Sequence, residues 1–453
     1  MKIEKKNILV VGLGKSGVAV ARFLKKNGAN VTITDKADEN NLGQFVSEIR
    51  EIGIKEELGY HRNETFCESD LIVLSPGVPD TISPVLEAKK NGVEIIGEIE
   101  LAASFIKEPI IAVTGTNGKT TTTTLLGEML KKSGFKVFVG GNIGNPLIDY
   151  TDSKEKADVV VVEVSSFQLD TISAFRPHVS VLLNITADHL DRYKDFNEYV
   201  MSKGRIFENQ DHNDLAIVNG RDIYARKTCR NIRSRRLFFN SEDETENKAY
   251  INGRTIKFNL PDCKEEILDM HKASLSGAHN LENISAAGLA ALAVGGTING
   301  MQSAIDEFQG LSHRLEYVDT INGVRFYDDS KATNVDAVAR AIETFSEPVV
   351  LIMGGRDKMG GYHKLESLVK ERVKTLVVIG EAKDNIENAL GAFAPVKRAS
   401  SMEEAVSMAW SSTEPGDVML LSPACSSFDM FQSYAQRGNA FSKEVKYLKV
   451  KEK

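Results

Sequence analysis

Gly115-Thr116-Asn117-Gly118-Lys119-Thr120-Thr121 stands directly after the apolar run Ile110 to Val113 and opens a helical stretch from about Lys119 to Lys132. Strand, glycine loop and helix in that order build a phosphate cradle. The glycines let backbone N–H groups converge on an anion, and the helix N-terminus adds its positive end. Lys119 can reach the β- and γ-phosphates of a nucleotide, and the Thr120 hydroxyl can ligate Mg²⁺. The match to G-x-x-x-x-G-K-[ST] is incomplete, because Val113 occupies the position five before Gly118. The strand–loop–helix context argues against a chance glycine turn.

Residues further on fit a nucleotide triphosphatase. Within the Val-rich run Ala157 to Val164, Glu163 sits at the end of the strand Val159 to Val162, where a strand-end acid can hold Mg²⁺ opposite the loop hydroxyl. An acid in such a strand needs a partner when buried. His189 follows another strand candidate, Val179 to Asn184, at the edge where ligands of open α/β sheets gather. A lone histidine is more often structural, so that position is what recommends it. No N-K-x-D guanine-reading motif is present, which favours ATP over GTP.

A second phosphate turn lies near the N-terminus. Gly12-Leu13-Gly14-Lys15-Ser16-Gly17 is a G-x-G-x-x-G between the strand Ile8 to Val11 and the helix-like Val18 to Asn27. Asp35 ends the next strand, Val31 to Thr34, where a ribose-binding acid is expected. Ser75-Pro76-Gly77 follows the strand Leu71 to Leu74 on the same carboxyl edge. Alone, this fingerprint suggests a dinucleotide oxidoreductase, but it suits any diphosphate nucleotide. An oxidoreductase leaves the Gly115 loop unexplained. An ATP-dependent ligase acting on a nucleotide-tagged substrate explains both loops.

The chain has 453 residues, long enough for about three domains. The βαβ rhythm restarts near Gly97 and again after Gly310. The later strand candidates are Val324 to Tyr327, Pro348 to Met353, Thr375 to Ile379 and Asp417 to Leu421. The expected organisation is α/β with three consecutive domains: a Rossmann-like N-terminal domain over 1–97, a P-loop-type central ATPase domain over 98–310 and a Rossmann-like C-terminal domain over 311–453. The charged stretch from Arg221 to Lys248 reads as a solvated excursion. Net charge is −7, which argues against a general nucleic-acid coat or a basic membrane-surface protein. The four cysteines form no C-x-x-C pair, so a reducing, cytoplasmic setting fits better than a disulfide scaffold. The longest uncharged stretch, Asn283 to Ile305, is too rich in Ala, Gly, Ser and Asn for a membrane span. Lysines ahead of Ile8 to Leu13 imitate a signal peptide, but the glycine fingerprint accounts for that run better.

Several segments together resemble the Mur ligases of peptidoglycan synthesis. They are Thr114 to Thr121, Glu163-Val164-Ser165-Ser166-Phe167-Gln168-Leu169, Asp188-His189-Leu190-Asp191-Arg192, His279-Asn280 and His313-Arg314. Asp328-Asp329-Ser330-Lys331-Ala332-Thr333-Asn334 and Leu421 to Asp429 are similar to the D-glutamate-adding branch of that family. The resemblance covers essentially the whole chain. It implies an ATP-dependent amide ligase that adds D-glutamate to UDP-N-acetylmuramoyl-L-alanine through an acyl phosphate, acting as a cytoplasmic monomer with ATP and Mg²⁺.

The resemblance also implies residue roles. Gly14, Lys15, Ser16, Asp35, Lys36 and Ser75 would bind the UDP part of the substrate. Asn142, Ser165, Gln168 and His189 would face its diphosphate and muramoyl part. Gly115, Thr116, Asn117, Gly118, Lys119, Thr120 and Thr121 would hold ATP phosphates, with Asn280 at the adenine and Arg314 and Asp329 at the ribose or γ-phosphate. Lys331, Thr333, Lys358, Ser427 and Tyr434 would frame D-glutamate, although the family usually has an aromatic such as Phe where Tyr434 stands. Thr120, Glu163 and His189 would hold Mg²⁺. Lys203, in Tyr199-x-x-x-Lys203-x-Arg205, would be carbamylated by CO₂ and join them, which needs a neutral amine. Lys119, Glu163, His189 and Lys203 would be the catalytic set. Closure of the last domain on the middle one would assemble the site and exclude water. Two rivals remain at this stage. A dehydrogenase would bind NADH at the first loop, and a non-catalytic sensor would bind both nucleotides without releasing phosphate.

Overall fold

Continuous runs of Val, Ile and Leu become the central strands of three sheets, because strands covered on both faces need no polar alternation. The computed structural model describes residues 1–190, 192–243, 245–260, 265–275, 277–357 and 361–452, the side chain of Asn247 aside. Lys358, expected at the amino-acid site, lies outside the described residues.

The first sheet has the strand order Lys55–Leu58, Asn30–Asp35, Asn7–Val11, Leu71–Leu74, Glu94–Gly97, all parallel. Chain order reverses on either side of Asn7–Val11, so the Gly12 and Ser75 turns leave neighbouring strands at a topological switch point. Leu9, Val11, Ile72, Leu74, Val85 and Phe66 pack one face of its core.

The second sheet has nine strands. Val137–Gly141, Val159–Glu163, Ile110–Thr114, Val179–Leu182, Leu215–Asn219, Arg235–Phe239 and Asn247–Asn252 run parallel in that spatial order. Thr255–Phe258 and Glu266–Asp269 extend it as antiparallel edge strands. Ile110–Thr114 sits between Val159–Glu163 and Val179–Leu182, so the loops following all three open at one carboxyl edge. The expected solvated excursion from Arg221 to Lys248 is corrected here. It folds into the helix Ile223–Thr228 and the strand Arg235–Phe239, whose Leu237, Phe238 and Phe239 are buried while Arg235 and Arg236 stay exposed. The charges occupy only the strand's first residues, and the apolar run behind them supplies the burial.

The third sheet has the order Glu316–Ile321, Val324–Asp328, Val418–Leu421, Val349–Gly354, Val373–Ile379, Val396–Arg398, with only the first pair antiparallel. Apolar clusters cover both faces, one with Val338, Ile342 and Leu365 and the other with Met402, Val406 and Phe441. By packing, the chain forms two units. The first comprises Met1–Ile185, Asn197–His271 and Glu282–Asp306 and holds the first two sheets. The second comprises Thr186–Phe196, Lys272–Leu281 and Glu307–Lys453 and holds the third sheet.

Candidate functional site

In the first unit, the Gly115 loop is shaped by its own strand and by Asn184. The Thr114 hydroxyl donates to the Val164 carbonyl at 2.8 Å, tying the loop's entrance to the neighbouring strand end. The Asn184 carbonyl accepts from Thr116 N–H at 2.9 Å, and its side chain accepts from Asn117 N–H at 2.8 Å. Gly118 has φ of 86° and caps the helix Lys119–Lys132, and a Cβ there would lie 2.2 Å from Asn283 Oδ1. Only glycine fits both the left-handed backbone and that close approach. Lys119 Nζ donates to the carbonyls of Gly115 and Thr116, each at 2.8 Å. Its ammonium is therefore held over the loop that is expected to take phosphates. Thr121 is buried, and Thr120 is half-buried in the first turn of the same helix.

Glu163 is only 2 % exposed. Its Oε1 accepts from Asn142 Nδ2 at 2.8 Å, and its carbonyl accepts from Asn142 N–H at 2.9 Å. Gly141 makes that contact possible, since a Cβ there would meet the Glu163 carbonyl oxygen at 2.5 Å. The second carboxylate oxygen, Oε2, is buried and has no hydrogen-bond partner among the described residues. A buried carboxylate oxygen without a donor is a costly arrangement in an apo protein and an ordinary one for a ligand of a hard cation. Glu163 therefore fits a divalent-cation site.

Lys203 is 1 % exposed, on the helix Phe196–Gly204. Its Nζ donates to the Gly115 carbonyl at 2.8 Å and lies 4.7 Å from the centroid of the Tyr199 ring. The Tyr199 hydroxyl in turn lies 3.0 Å from Thr116 Oγ1. Two lysines thus meet at one loop carbonyl.

The Gly12 turn is held by residues that the sequence associates with ribose and diphosphate. Asp35 accepts from Leu13 N–H at 2.6 Å and from Ala37 N–H at 2.8 Å, so its carboxylate anchors the turn itself. Ser75 Oγ donates to the Gly12 carbonyl at 2.9 Å. A Cβ on Gly14 would meet nothing within 4 Å, which leaves the backbone open to close approach. Lys15 Nζ donates to the Gly144 carbonyl at 2.6 Å and to Asn145 Oδ1 at 3.1 Å, so it joins this turn to the loop that carries Asn142. Ser16 is half-buried and Lys36 is exposed. Ser165 and Gln168 form a capping box at the helix Ser166–Leu169, with Ser165 N–H donating to Gln168 Oε1 at 2.9 Å. Gln168 Nε2 is buried and has no hydrogen-bond partner among the described residues.

The second unit gathers the remaining candidates. His189 has φ of 54°, and its N–H donates to Asp188 Oδ1 at 2.9 Å. Asp188 Oδ2 accepts from Asn334 Nδ2 at 3.2 Å, which links the His189 loop to the Asp328 to Asn334 segment. Asn280 is buried in the helix Ala278–Ala293. Asp329 accepts from Leu315 N–H at 3.1 Å and from Ser422 Oγ at 2.9 Å. Burial pushes its carboxyl up to about 7, against the pull of Ser422 and Arg314. Lys331 Nζ sits 3.9 Å from the centroid of the Tyr434 ring, a cation–π contact that fixes the ammonium's direction. Thr333 is half-buried and Ser427 is buried near the start of the helix Tyr434–Lys451.

Four contributors were not singled out from the sequence. Asn184, Asn283 and Tyr199 shape the Gly115 loop, and the signals available were the place of Tyr199 four residues before Lys203 and the Asn280-x-x-Asn283 spacing on one helix. Arg437 is buried and donates to Ser330, Gly354, Cys425 and Ser426, tying together three segments of the third sheet's carboxyl edge. Burial pushes its guanidinium down to about 10. A buried arginine whose acceptors are nearly all backbone carbonyls leaves no pattern in the sequence.

Comparison with known proteins places the chain in one family. A model described as "Mur ligase MurD-like, N-terminal domain" matches residues 6–97. "Mur ligase middle domain" matches 113–291 and "Mur ligase, glutamate ligase domain" matches 313–425. A UDP-N-acetylmuramoylalanine--D-glutamate ligase of Desulfosudis oleivorans is 53% identical over 449 residues, covering 99% of this chain and 98% of that one. A protein of the same name from Desulfatibacillum aliphaticivorans is 50% identical, covering 99% and 100%. The crystal structure of UDP-N-acetylmuramate-alanine ligase MurC from Thermotoga maritima superposes with a TM-score of 0.61 at 20% identity, covering 98% of this chain and 100% of that one, a likeness of fold.

Proposed function

The chain belongs to the Mur ligase family, and on that premise we propose that it joins D-glutamate to the alanine carboxylate of UDP-N-acetylmuramoyl-L-alanine, with conversion of ATP to ADP and phosphate. The observation that carries this reading is near-complete coverage by relatives of that name, at 53% and 50% identity, in a chain with two separate phosphate-binding turns. The substrates are small anions, and no helix among the described residues is long and apolar enough to cross a membrane.

The Gly12 turn would take the uridine diphosphate, with Gly14 giving backbone access and Asp35 and Ser75 holding the turn rigid. The Gly115 loop and Lys119 would take the ATP phosphates. An oxygen of the alanine carboxylate attacks the γ-phosphorus, and the bond from that phosphorus to the ADP oxygen breaks. Lys119 offsets charge on the phosphoryl oxygens. The product is an acyl phosphate. The amine of D-glutamate then attacks its carbonyl carbon, the carbon–oxygen bond to phosphate breaks, and the amine proton leaves to a base such as His189 or to water. Lys331, oriented by Tyr434, would pair with a glutamate carboxylate, with Thr333, Ser427 and Lys358 completing that subsite.

Glu163 and Thr120 would hold Mg²⁺, with His189 and a carbamylated Lys203 as further ligands, and the ion when bound would offset phosphoryl charge. The carbamate forms when the neutral Lys203 amine adds to CO₂ and loses a proton, and the resulting anion suits a site beside Lys119.

Isotope transfer tests the acyl phosphate. If the alanine carboxylate of the substrate carries heavy oxygen, one labelled oxygen is expected in each released phosphate. Unlabelled phosphate alongside amide product would contradict the mechanism.

A further inference from the structure

The segment carrying Arg314 has two left-handed residues flanking it, His313 with φ of 64° and Leu315 with φ of 47°. Neither is glycine, and Leu315 has no polar side chain to support such a backbone, so the conformation persists only if its surroundings over-determine it. Those surroundings are two adjacent carboxylates at the end of the strand Val324–Asp328. Asp328 is fully buried, and its Oδ2 lies 2.7 Å from His313 Nδ1 while its Oδ1 accepts from Ser330 N–H at 2.9 Å. Asp329 Oδ1 accepts from Leu315 N–H at 3.1 Å. Glu316 Oε2 accepts from His313 N–H at 2.7 Å, and the His313 carbonyl accepts from Lys331 N–H at 3.0 Å. Arg314 is therefore pinned on both sides by Asp328 and Asp329. The helix Tyr434–Lys451 makes room for this, since a Cβ on Gly438 would lie 2.2 Å from His313 Nδ1 and 2.4 Å from Asp328 Oδ2.

We propose that Asp328, acting through His313, is a positioning residue that holds Arg314 in a strained backbone setting so that its guanidinium is presented to the ribose or γ-phosphate of ATP. The inference rests on the proposed ligase reading and on the role the family resemblance implies for Arg314, at the ribose or γ-phosphate of ATP. Asp328 touches no substrate in this account. Its effect passes through His313, and Gly438 is required only because the pair needs the space.

The test is equilibrium binding of a non-hydrolysable ATP analogue to the full chain, with UDP binding and thermal midpoint measured alongside. Arg314→Ala is expected to weaken the analogue about tenfold or more. Asp328→Asn keeps the volume and an acceptor for Ser330 but removes the charge facing His313, and it is expected to weaken the analogue several-fold with UDP affinity unchanged. Gly438→Ala, which displaces the same pair from outside the nucleotide site, should do likewise. The Asp328→Asn/Arg314→Ala double variant should bind no worse than Arg314→Ala alone, because both changes act on one group. If Arg314→Ala binds as tightly as the parent, the reading beneath the proposal fails. If Arg314→Ala is weak while both Asp328→Asn and Gly438→Ala bind normally, the proposal alone is overturned. Losses that multiply in the double variant, or that extend equally to UDP, would also overturn it.

Discussion

Lys119 and Lys203 donate to the same carbonyl oxygen, that of Gly115, each at 2.8 Å. One lysine opens the helix behind the phosphate loop, and the other arrives from a helix that begins at Phe196. Two like charges brought to one acceptor repel each other. Carbamylation of Lys203 would convert that repulsion into attraction. Protein equilibrated with isotope-labelled bicarbonate should show one carbamate carbon resonance, absent from Lys203→Arg. Fully active protein without that resonance would remove the modification from the mechanism.

Lys119→Ala should lower turnover by at least about a thousandfold, because the ammonium acts on charge that develops on the phosphoryl oxygens. UDP binding should survive, since the Gly12 turn is held by Asp35 and Ser75 and has no bond to Lys119 among those described. Calorimetric titration with UDP checks this, and a parallel loss of UDP affinity would mean that the two phosphate sites are not independent.

Asn142→Ala removes the donor to Glu163 Oε1 and leaves a carboxylate with neither oxygen supported. The expected result is a Mg²⁺ requirement shifted upward by about tenfold, as is usual when the group supporting a metal ligand is lost. Half-saturating Mg²⁺ in the turnover assay measures it. An unchanged requirement would argue that Glu163 is not a metal ligand.

Glu98 links the first sheet to the second within one unit. Its carboxylate accepts from Ile148 N–H at 2.7 Å, and burial pushes its carboxyl up from 4.5 to about 7. Folded protein therefore keeps this proton across a window in which an unfolded glutamate has released it. Stability from this group is present below about pH 4.5 and is lost as pH rises to about 7. Glu98→Gln cannot ionise and still offers an oxygen to Ile148. It should remove that slope and be more stable than the parent at about pH 8, by up to roughly 3 kcal/mol. Denaturant titrations across the window check it, and parallel pH profiles for the two proteins would contradict it.

Much of this architecture was legible from residue pattern. The runs at Ile8, Leu71 and Ile110 are continuous and apolar, and glycines punctuate their ends, so strand and turn could be read together. The strand Asn247–Asn252 and the antiparallel edge strands Thr255–Phe258 and Glu266–Asp269 were not read, because they are short, polar on one face and set in a charged stretch. At the site, Lys119 and Glu163 announced themselves by position in their motifs. Asn184, Asn283 and Tyr199 did not, because their contribution is a distance to Gly115, Gly118 or Thr116 that only folding creates. Asp35 shows the reverse limit. Its place after the second strand suggests ribose contact, while its Oδ2 bond to Leu13 N–H in the Gly12 turn is a further role that spacing does not announce.

The central claim is the amino-acid specificity of the ligase, and phosphate release with UDP-N-acetylmuramoyl-L-alanine, ATP and each enantiomer of glutamate tests it most directly. Steady release with D-glutamate, matched by amide product and at least about a hundredfold slower with L-glutamate, is the predicted result. Turnover with L-glutamate and none with D-glutamate would contradict the account.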